Sequence, residues 1–109
     1  MLVVHALLSL GDFFAATPGI QELKESACKL TPVSNKFDGS GYEFMYGMFL
    51  LPLRALPSPP KVLEIGLGCT MGYGPGASAK TWRAVLPTAD IWEAEYDAGC
   101  VAKYRSEVN

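Results

Sequence analysis

The chain of 109 residues is half hydrophobic, with 18% charged and 11% aromatic residues. This is enough apolar material for one packed domain, and it excludes a disordered tail or a collagen-like repeat. Nine Lys and Arg against eleven Asp and Glu give a net charge of −2. Because the sequence contains no block of basic residues, we do not expect binding to nucleic acid or to an anionic membrane surface through charge.

Residues 1–16 form an almost entirely apolar segment. A membrane span needs about 20 uninterrupted apolar residues, and here His5 and Asp12 interrupt a shorter run. We therefore predict a buried or partner-facing helix, and contact of residues 1–16 with a membrane is disfavoured. The small residues at 15–17 leave a weak signal or anchor remnant open as the alternative. A cytoplasmic location is favoured.

Two helices are predicted in the first half of the chain. Thr17 is a suitable cap and Pro18 suits the first helical position, so that a helix is expected over 18–30. A second helix is expected over 41–54, and Pro52 should kink or end it. One face of this second helix collects side chains that we expect to pack in the core: Tyr42, Met45, Tyr46, Phe49 and Leu53.

The second half of the chain predicts a β-α-β unit. A short buried strand is expected at 62–66 and a second strand at 90–96, with a helix at 77–86 between them. A glycine-rich loop, 66–76, joins the first strand to that helix. Such a unit implies an α/β fold with two parallel strands joined by a right-handed crossover. A further helix is expected to begin near residue 99.

The three cysteines, Cys28, Cys69 and Cys100, are far apart in the sequence. No C-x-x-C pair occurs, and the single histidine lies near the start, so that no zinc site or other metal site is expected. An odd number of cysteines favours free thiols over a disulfide framework. We therefore expect three reduced and partly buried thiols.

The strand ending at Glu64 and the following glycines indicate a ligand site. Glycines such as Gly66 and Gly68 allow the backbone to turn sharply and let a ligand approach the main chain, while the next helix N-terminus favours a polar or anionic group. The second strand ends in acids, Glu95 and Asp97. In nucleoside sites an acid at this position hydrogen-bonds the ribose hydroxyls.

Two well-known nucleotide motifs do not fit this loop. The dinucleotide fingerprint G-x-G-x-x-G requires a third glycine where this chain has Met71. No Gly-Lys-Ser/Thr sequence follows the glycines, so that a phosphate-binding P-loop is also excluded. A looser E-x-G-x-G pattern remains.

That pattern resembles the first motif of the class I S-adenosylmethionine-dependent methyltransferases. It is carried by VLEIGLG, residues 62–68, and Glu95 matches the ribose-binding acid of that family. The longer run LEIGLGCTMGYGPGAS is similar to uncharacterised fungal methyltransferase-like proteins, some of which are named hard-surface induced protein. The lead-in SNKFDGSGYEFMYGMFLLPLR is similar to the one in those proteins and in macrocin O-methyltransferase-like enzymes. The resemblance spans Ser34 to about Arg105.

The resemblance implies S-adenosylmethionine as the cofactor and assigns roles to five residues. Gly66 and Gly68 match the glycines that approach the methionine part of the cofactor. Glu64 matches the acid that steadies the loop, Glu95 the ribose acid, and Asp97 is its near alternative. The catalytic residues are unknown.

The chain also departs from the family pattern. Asn35 stands where Asp is usual and Ser40 where His is usual. The family fold has a larger sheet than two strands, so that the resemblance implies the N-terminal part of a Rossmann-like methyltransferase fold with an incomplete sheet. It divides the chain into an apolar helical segment, 1–33, and a partial methyltransferase-like domain, 34–109.

Two functions follow as expectations. The first is a partial S-adenosylmethionine-binding domain that is inactive as this chain alone. The alternative is a non-enzymatic protein that acts through membrane contact of its apolar N-terminal helix or through association, including self-association at open strand edges.

Overall fold

The computed structural model describes residues 18–37 and 39–108. Its helices and strands follow in the order α1 (Pro18–Cys28), α2 (Tyr42–Phe49), β1 (Lys61–Ile65), α3 (Ala77–Val85), β2 (Asp90–Ala94) and α4 (Ala98–Val108). Two short 3₁₀ turns, Asn35–Phe37 and Leu51–Ala55, precede and follow α2. The described part of the chain is thus a small α/β unit with four helices and a two-stranded sheet.

The two strands are adjacent and parallel, as predicted. Their register runs from Lys61 opposite Asp90 to Ile65 opposite Ala94, and α3 makes the connection that a parallel pair requires. β2 ends at Ala94, two residues before the predicted end. The chain turns there because the Glu95 carboxylate accepts hydrogen bonds from the next two backbone N–H groups.

Both N-terminal helices form where they were predicted, and both end early. The helix predicted at 18–30 ends at Cys28. The helix predicted at 41–54 is regular only to Phe49, and Leu51–Ala55 is a 3₁₀ turn. Pro52 explains this change, since proline lacks the backbone donor and its ring crowds the preceding turn of an α-helix.

The main core lies between the N-terminal helices, α3 and the inner face of the sheet. Its buried members are Leu23, Ala27, Phe37, Leu51, Trp82, Val85 and Leu86. Phe37 and Tyr46 contact the Trp82 ring edge-on, with centroids 5.8 and 4.8 Å away. From the sheet, Val62 and Ile91 pack against this cluster. The β-α-β unit therefore depends on the N-terminal helices for the cover of one face.

The face of α2 that packs against α1 differs from the predicted one. Tyr46 does contact the core, but Tyr42, Met45 and Phe49 are exposed. The reason is the close approach of the two helices at Gly47, where a Cβ atom would lie 2.6 Å from the Cα of Ile20. This approach turns Gly47 towards α1 and leaves most of the predicted apolar face outside the core.

The expectation of three reduced and partly buried thiols is wrong for two cysteines in their redox state and for the third, Cys28, in its burial. Cys69 and Cys100 form a disulfide with a Cα–Cα distance of 6.1 Å, and Cys28 is free and exposed. Cys69 lies in the loop after β1 and Cys100 lies in the first turn of α4 after β2. Because the two strands are parallel neighbours, these two segments meet at the same edge of the sheet, although 31 positions separate the cysteines in the sequence.

Residues 1–17 lie outside the described residues, and they include the segment 1–16 in which the apolar N-terminal helix was predicted. Among the helices that are described, none has the length and apolar character required to span a membrane. The described part of the segment 1–33 belongs to the same core as α3, through Leu23 and Ala27. The division of the chain at residue 33 stays a prediction.

Candidate functional site

A pocket of about 360 Å³ lies at the carboxyl ends of β1 and β2. Its walls are the loop after β1, the first turn of α3, residues 95–97 after β2, and the side of the 3₁₀ turn that carries Asn35 and Lys36. We call this the loop pocket. Ligands of open parallel sheets bind outside the carboxyl ends of the strands, which is where this pocket lies.

The glycine loop takes a backbone conformation that only glycine adopts without strain. Gly66 and Gly68 have φ angles of 101° and 82°, in the left-handed region. The Gly66 N–H donates to the Ala94 carbonyl and so continues the strand pairing by one bond. The Gly76 N–H donates back to the Leu67 carbonyl at 2.8 Å and closes the loop. Both predicted glycines therefore line the loop pocket with bare backbone.

Glu95 organises the wall between the two strands. Its Oε2 accepts a hydrogen bond from the Leu67 N–H at 3.0 Å, and its Oε1 accepts from the Tyr96 and Asp97 N–H groups at 2.9 and 3.1 Å. A carboxylate offers about four acceptor positions, so that three backbone donors leave one on Oε2. The predicted ribose acid thus lines the pocket and also ties the glycine loop to the end of β2.

Asp97 has a structural role in addition to its place in the pocket. Its Oδ1 accepts hydrogen bonds from the Gly99 and Cys100 N–H groups, at 2.9 and 3.0 Å. This is the geometry of a helix N-cap, in which the side chain satisfies the first free amides of α4. Because both bonds go to Oδ1, the other carboxylate oxygen is available to a ligand.

Glu64 is the one predicted site residue that does not line the loop pocket. It points to the inner face of the sheet, where Oε1 lies 2.8 Å from the Lys36 ammonium and Oε2 accepts a hydrogen bond from the Trp82 indole at 2.8 Å. Burial by itself would lower the pKa of Lys36. The hydrogen bond and the negative charge of Glu64 together outweigh this effect, so that the pKa lies above its ordinary value. Glu64 therefore holds a wall residue of the pocket in place, and its direct contact with a cofactor stays a prediction.

A second acid, Glu93, lies opposite Glu64 in the strand register. Both of its carboxylate oxygens are enclosed and accept no hydrogen bond from any donor in the described part of the chain. Burial, followed by the negative charge of Glu64, raises the pKa of Glu93 to about 8, and the charges of Arg83 and Lys36 only partly oppose this. The pKa of Glu93 therefore lies well above that of an exposed carboxyl group, and in its protonated form Glu93 can donate a hydrogen bond to Glu64.

The sequence reasoning did not assign a role to a hydrogen-bonded pair in the wall of the loop pocket, Asn35 and Tyr73. The Tyr73 hydroxyl donates to Asn35 Oδ1 at 3.0 Å and accepts from the Asn35 N–H at 3.3 Å. These bonds join the glycine loop to the turn before α2. The family resemblance included the lead-in segment around Asn35 and Lys36. It did not indicate that this segment contacts the glycine loop.

Within residues 18–37 and 39–108, no group of three or more His, Cys, Asp and Glu side chains is arranged to hold a metal ion. The charged groups that line the loop pocket are Lys36, Glu95 and Asp97, and backbone amides or an ion partner engage each of them. The pocket is therefore suited to holding a ligand through backbone and carboxylate hydrogen bonds. We identify no catalytic base in it.

Comparisons of the chain with protein-family models, with curated proteins and with solved structures give no match.

Proposed function

We propose that the loop pocket is an S-adenosylmethionine site of the methyltransferase type, built on the N-terminal part of a Rossmann-like fold. The observation that carries the proposal is the convergence of the glycine loop and Glu95 on one pocket at the carboxyl ends of two parallel strands. The E-x-G-x-G resemblance supplies the identity of the cofactor. Gly66 and Gly68 offer backbone to its methionine part, and Glu95 and Asp97 offer carboxylate oxygens to its ribose.

Binding is expected to be weak. The pocket volume of about 360 Å³ is near the lower end for small-molecule sites, and within residues 18–37 and 39–108 only the segments named above enclose it. Three of the four acceptor positions of Glu95 are already used, so that the ribose gains one hydrogen bond from this residue. We expect a dissociation constant on the order of 1 mM, and no methyl transfer by this chain alone.

Titration calorimetry with S-adenosylmethionine and S-adenosylhomocysteine tests the proposal. Gly68→Val should abolish binding, because a side chain at φ 82° strains the loop and its Cβ would lie 3.4 Å from Met71. Gly39→Val is the matched control, since Gly39 also has a positive φ, of 76°, has no neighbour within 4 Å and does not line the pocket. Absence of binding by the parent chain at millimolar ligand, or equal binding by both variants, would contradict the proposal.

A second pair of variants tests the assignment of the ribose acid. Glu95→Gln replaces one acceptor oxygen by an amide that cannot accept a backbone N–H, so that affinity should fall by about 1–3 kcal/mol. Asp97→Asn keeps the Oδ1 acceptor of the helix cap and should lower the affinity less. The reverse order of effects would assign the ribose to Asp97.

A further inference from the structure

The sheet has one face without cover in the described part of the chain. Residues alternate along each strand, and the inner positions pack against the core or hold the buried acids. The six alternate positions are all exposed, and we call them the outer face: Lys61, Leu63, Ile65, Asp90, Trp92 and Ala94. Leu63 is 63% exposed, Ile65 83% and Trp92 62%.

This outer face has the character of an interface. Parallel strands are normally covered on both faces, and contiguous exposed apolar side chains on a soluble domain mark an interaction site. The apolar surface extends past the end of β2, because Tyr96 is 95% exposed and shares a shallow cavity of about 340 Å³ with Ile65 and Ala94. The patch is thus continuous from the middle of the strands to their carboxyl ends.

The charges on the outer face are confined to the opposite end. Lys61 and Asp90 are register partners at the first position of each strand. Neither side chain forms an ion pair with another described residue. Along the strands the face therefore presents one row with a positive and a negative charge, one row with Leu63 beside Trp92, and one row with Ile65 beside Ala94.

We propose that a second copy of this chain covers the outer face, with the two sheets stacked about a two-fold axis parallel to the strands. This symmetry places β1 of each copy over β2 of the other. Lys61 then faces Asp90 of the partner subunit, and the same pair forms a second time by symmetry. Leu63 packs on Trp92 of the partner subunit, so that both the charges and the apolar rows are complementary.

The charge pattern distinguishes this arrangement from the other face-to-face dimer. A two-fold axis perpendicular to the strands would place β1 over β1 in the opposite direction. Lys61 would then face Ile65 of the partner subunit, and Asp90 would face Ala94 of the partner subunit. Burying unpaired charges on apolar side chains is costly, and so the parallel axis is favoured.

The size of the face predicts a weak dimer. Its apolar side chains together with Tyr96 expose on the order of 500 Å², given the area of large side chains. A typical specific interface buries about 800 Å² on each partner. We therefore expect a dissociation constant on the order of 10⁻⁴ M.

Analytical ultracentrifugation of the 109-residue chain, over concentrations that bracket this constant, measures the association. Trp92→Ser should weaken it at least about tenfold, because Trp92 is the largest apolar group on the face. Phe49→Ser is the matched control, since Phe49 is 66% exposed on α2, away from the outer face. It should leave the association unchanged.

Charge exchange tests the orientation, and it does not depend on the tryptophan variant folding well. Lys61→Asp alone and Asp90→Lys alone each create two like-charge contacts between the subunits, in addition to a like-charge pair of register partners within each subunit. Each should weaken the dimer several-fold. The double variant restores opposite charges and should return the constant to that of the parent chain. Circular dichroism confirms that each variant is folded.

Three results would overturn the proposal. The first is a parent chain that stays monomeric at millimolar concentration. The second is association that Trp92→Ser leaves unchanged, as pairing through the open strand edges would predict. The third is a double charge variant that associates no better than the single ones, which would exclude the parallel axis.

Discussion

Protonation of Glu93 should make the stability of this protein fall as the pH rises. In the unfolded chain Glu93 ionises near its ordinary pKa of 4.5, whereas in the folded state its pKa is about 8. Between these two values the folded state holds a proton that the unfolded state has lost, and the free energy of unfolding therefore decreases with pH. Below pH 4.5 the contribution of Glu93 to the free energy of unfolding is constant, and above a pH of about 8 this contribution is lost completely.

The size of this effect follows from the burial of the carboxyl group and its charged neighbour. A shift of this size would correspond to about 5 kcal/mol if it were counted in full. Glu93 is only half-buried as a residue, so that about 2 kcal/mol is expected after solvent screening. After desolvation, the largest cause of the raised pKa is the negative charge of Glu64, which lies opposite Glu93 in the strand register.

Urea unfolding at pH 5 and pH 9, followed by circular dichroism, measures the difference. The free energy of unfolding of the parent chain should be lower at pH 9 than at pH 5. The part of this difference that Glu93→Gln does not show should be about 2 kcal/mol. Glu93→Gln keeps the shape of the protonated acid and should lose this part of the pH dependence. Glu107→Gln, the same substitution at an exposed position of α4, is the control and should leave it in place. An identical pH dependence in the parent chain and in Glu93→Gln would refute the reasoning.

The remaining predictions concern the stability of the fold. Replacing Cys100 by Ser should lower the free energy of unfolding by about 3–4 kcal/mol, because the disulfide closes a loop of 31 positions and so restricts the unfolded chain. A reductant should have no further effect on the stability of this variant. Gly47→Ala should destabilise the chain by about 1–3 kcal/mol in urea unfolding, because the added Cβ would lie 2.6 Å from the Ile20 Cα. Gly39→Ala, with no neighbour within 4 Å, should cost only the strain of its positive φ. Asp97→Ala should cost about 1 kcal/mol in thermal unfolding through loss of the α4 cap, whereas Asp97→Asn should be nearly neutral.

The elements of the fold could be predicted because their signals are local. Proline at 18 and 52, the glycine loop and the two short apolar runs each indicate a boundary within a few residues, and the helix between the strands implies parallel pairing. The orientation of α2 could not be predicted. It depends on the approach of Gly47 to α1, and a glycine in a helical segment does not indicate which neighbour it will meet.

The candidate site was predictable only in part for a related reason. Gly66, Gly68, Glu95 and Asp97 could be proposed from the sequence because the strand, the loop and the second strand follow each other closely. The structure places all four on the loop pocket. The contacts of Lys36 with Glu64 and of Asn35 with Tyr73 join segments that the sequence separates widely. Such pairs have no periodicity or spacing by which they could be recognised.

The disulfide and Glu95 act on the same structural problem, which is how a long loop keeps one conformation over a shallow pocket. Three ties hold the loop after β1 to the segment that runs from the end of β2 into α4. They are the Gly66 N–H on the Ala94 carbonyl, the Leu67 N–H on the Glu95 carboxylate, and the bond between Cys69 and Cys100. Between Glu95 and Cys100, the Asp97 cap fixes the first turn of α4 relative to β2. Each tie therefore lowers the entropic cost of forming the others, because a loop that is ordered at one end has fewer conformations left to lose. It follows that reduction of the disulfide should weaken the proposed binding of S-adenosylmethionine more than it disturbs the main core, because Leu67 and Ala79 form a separate small cluster beneath the loop.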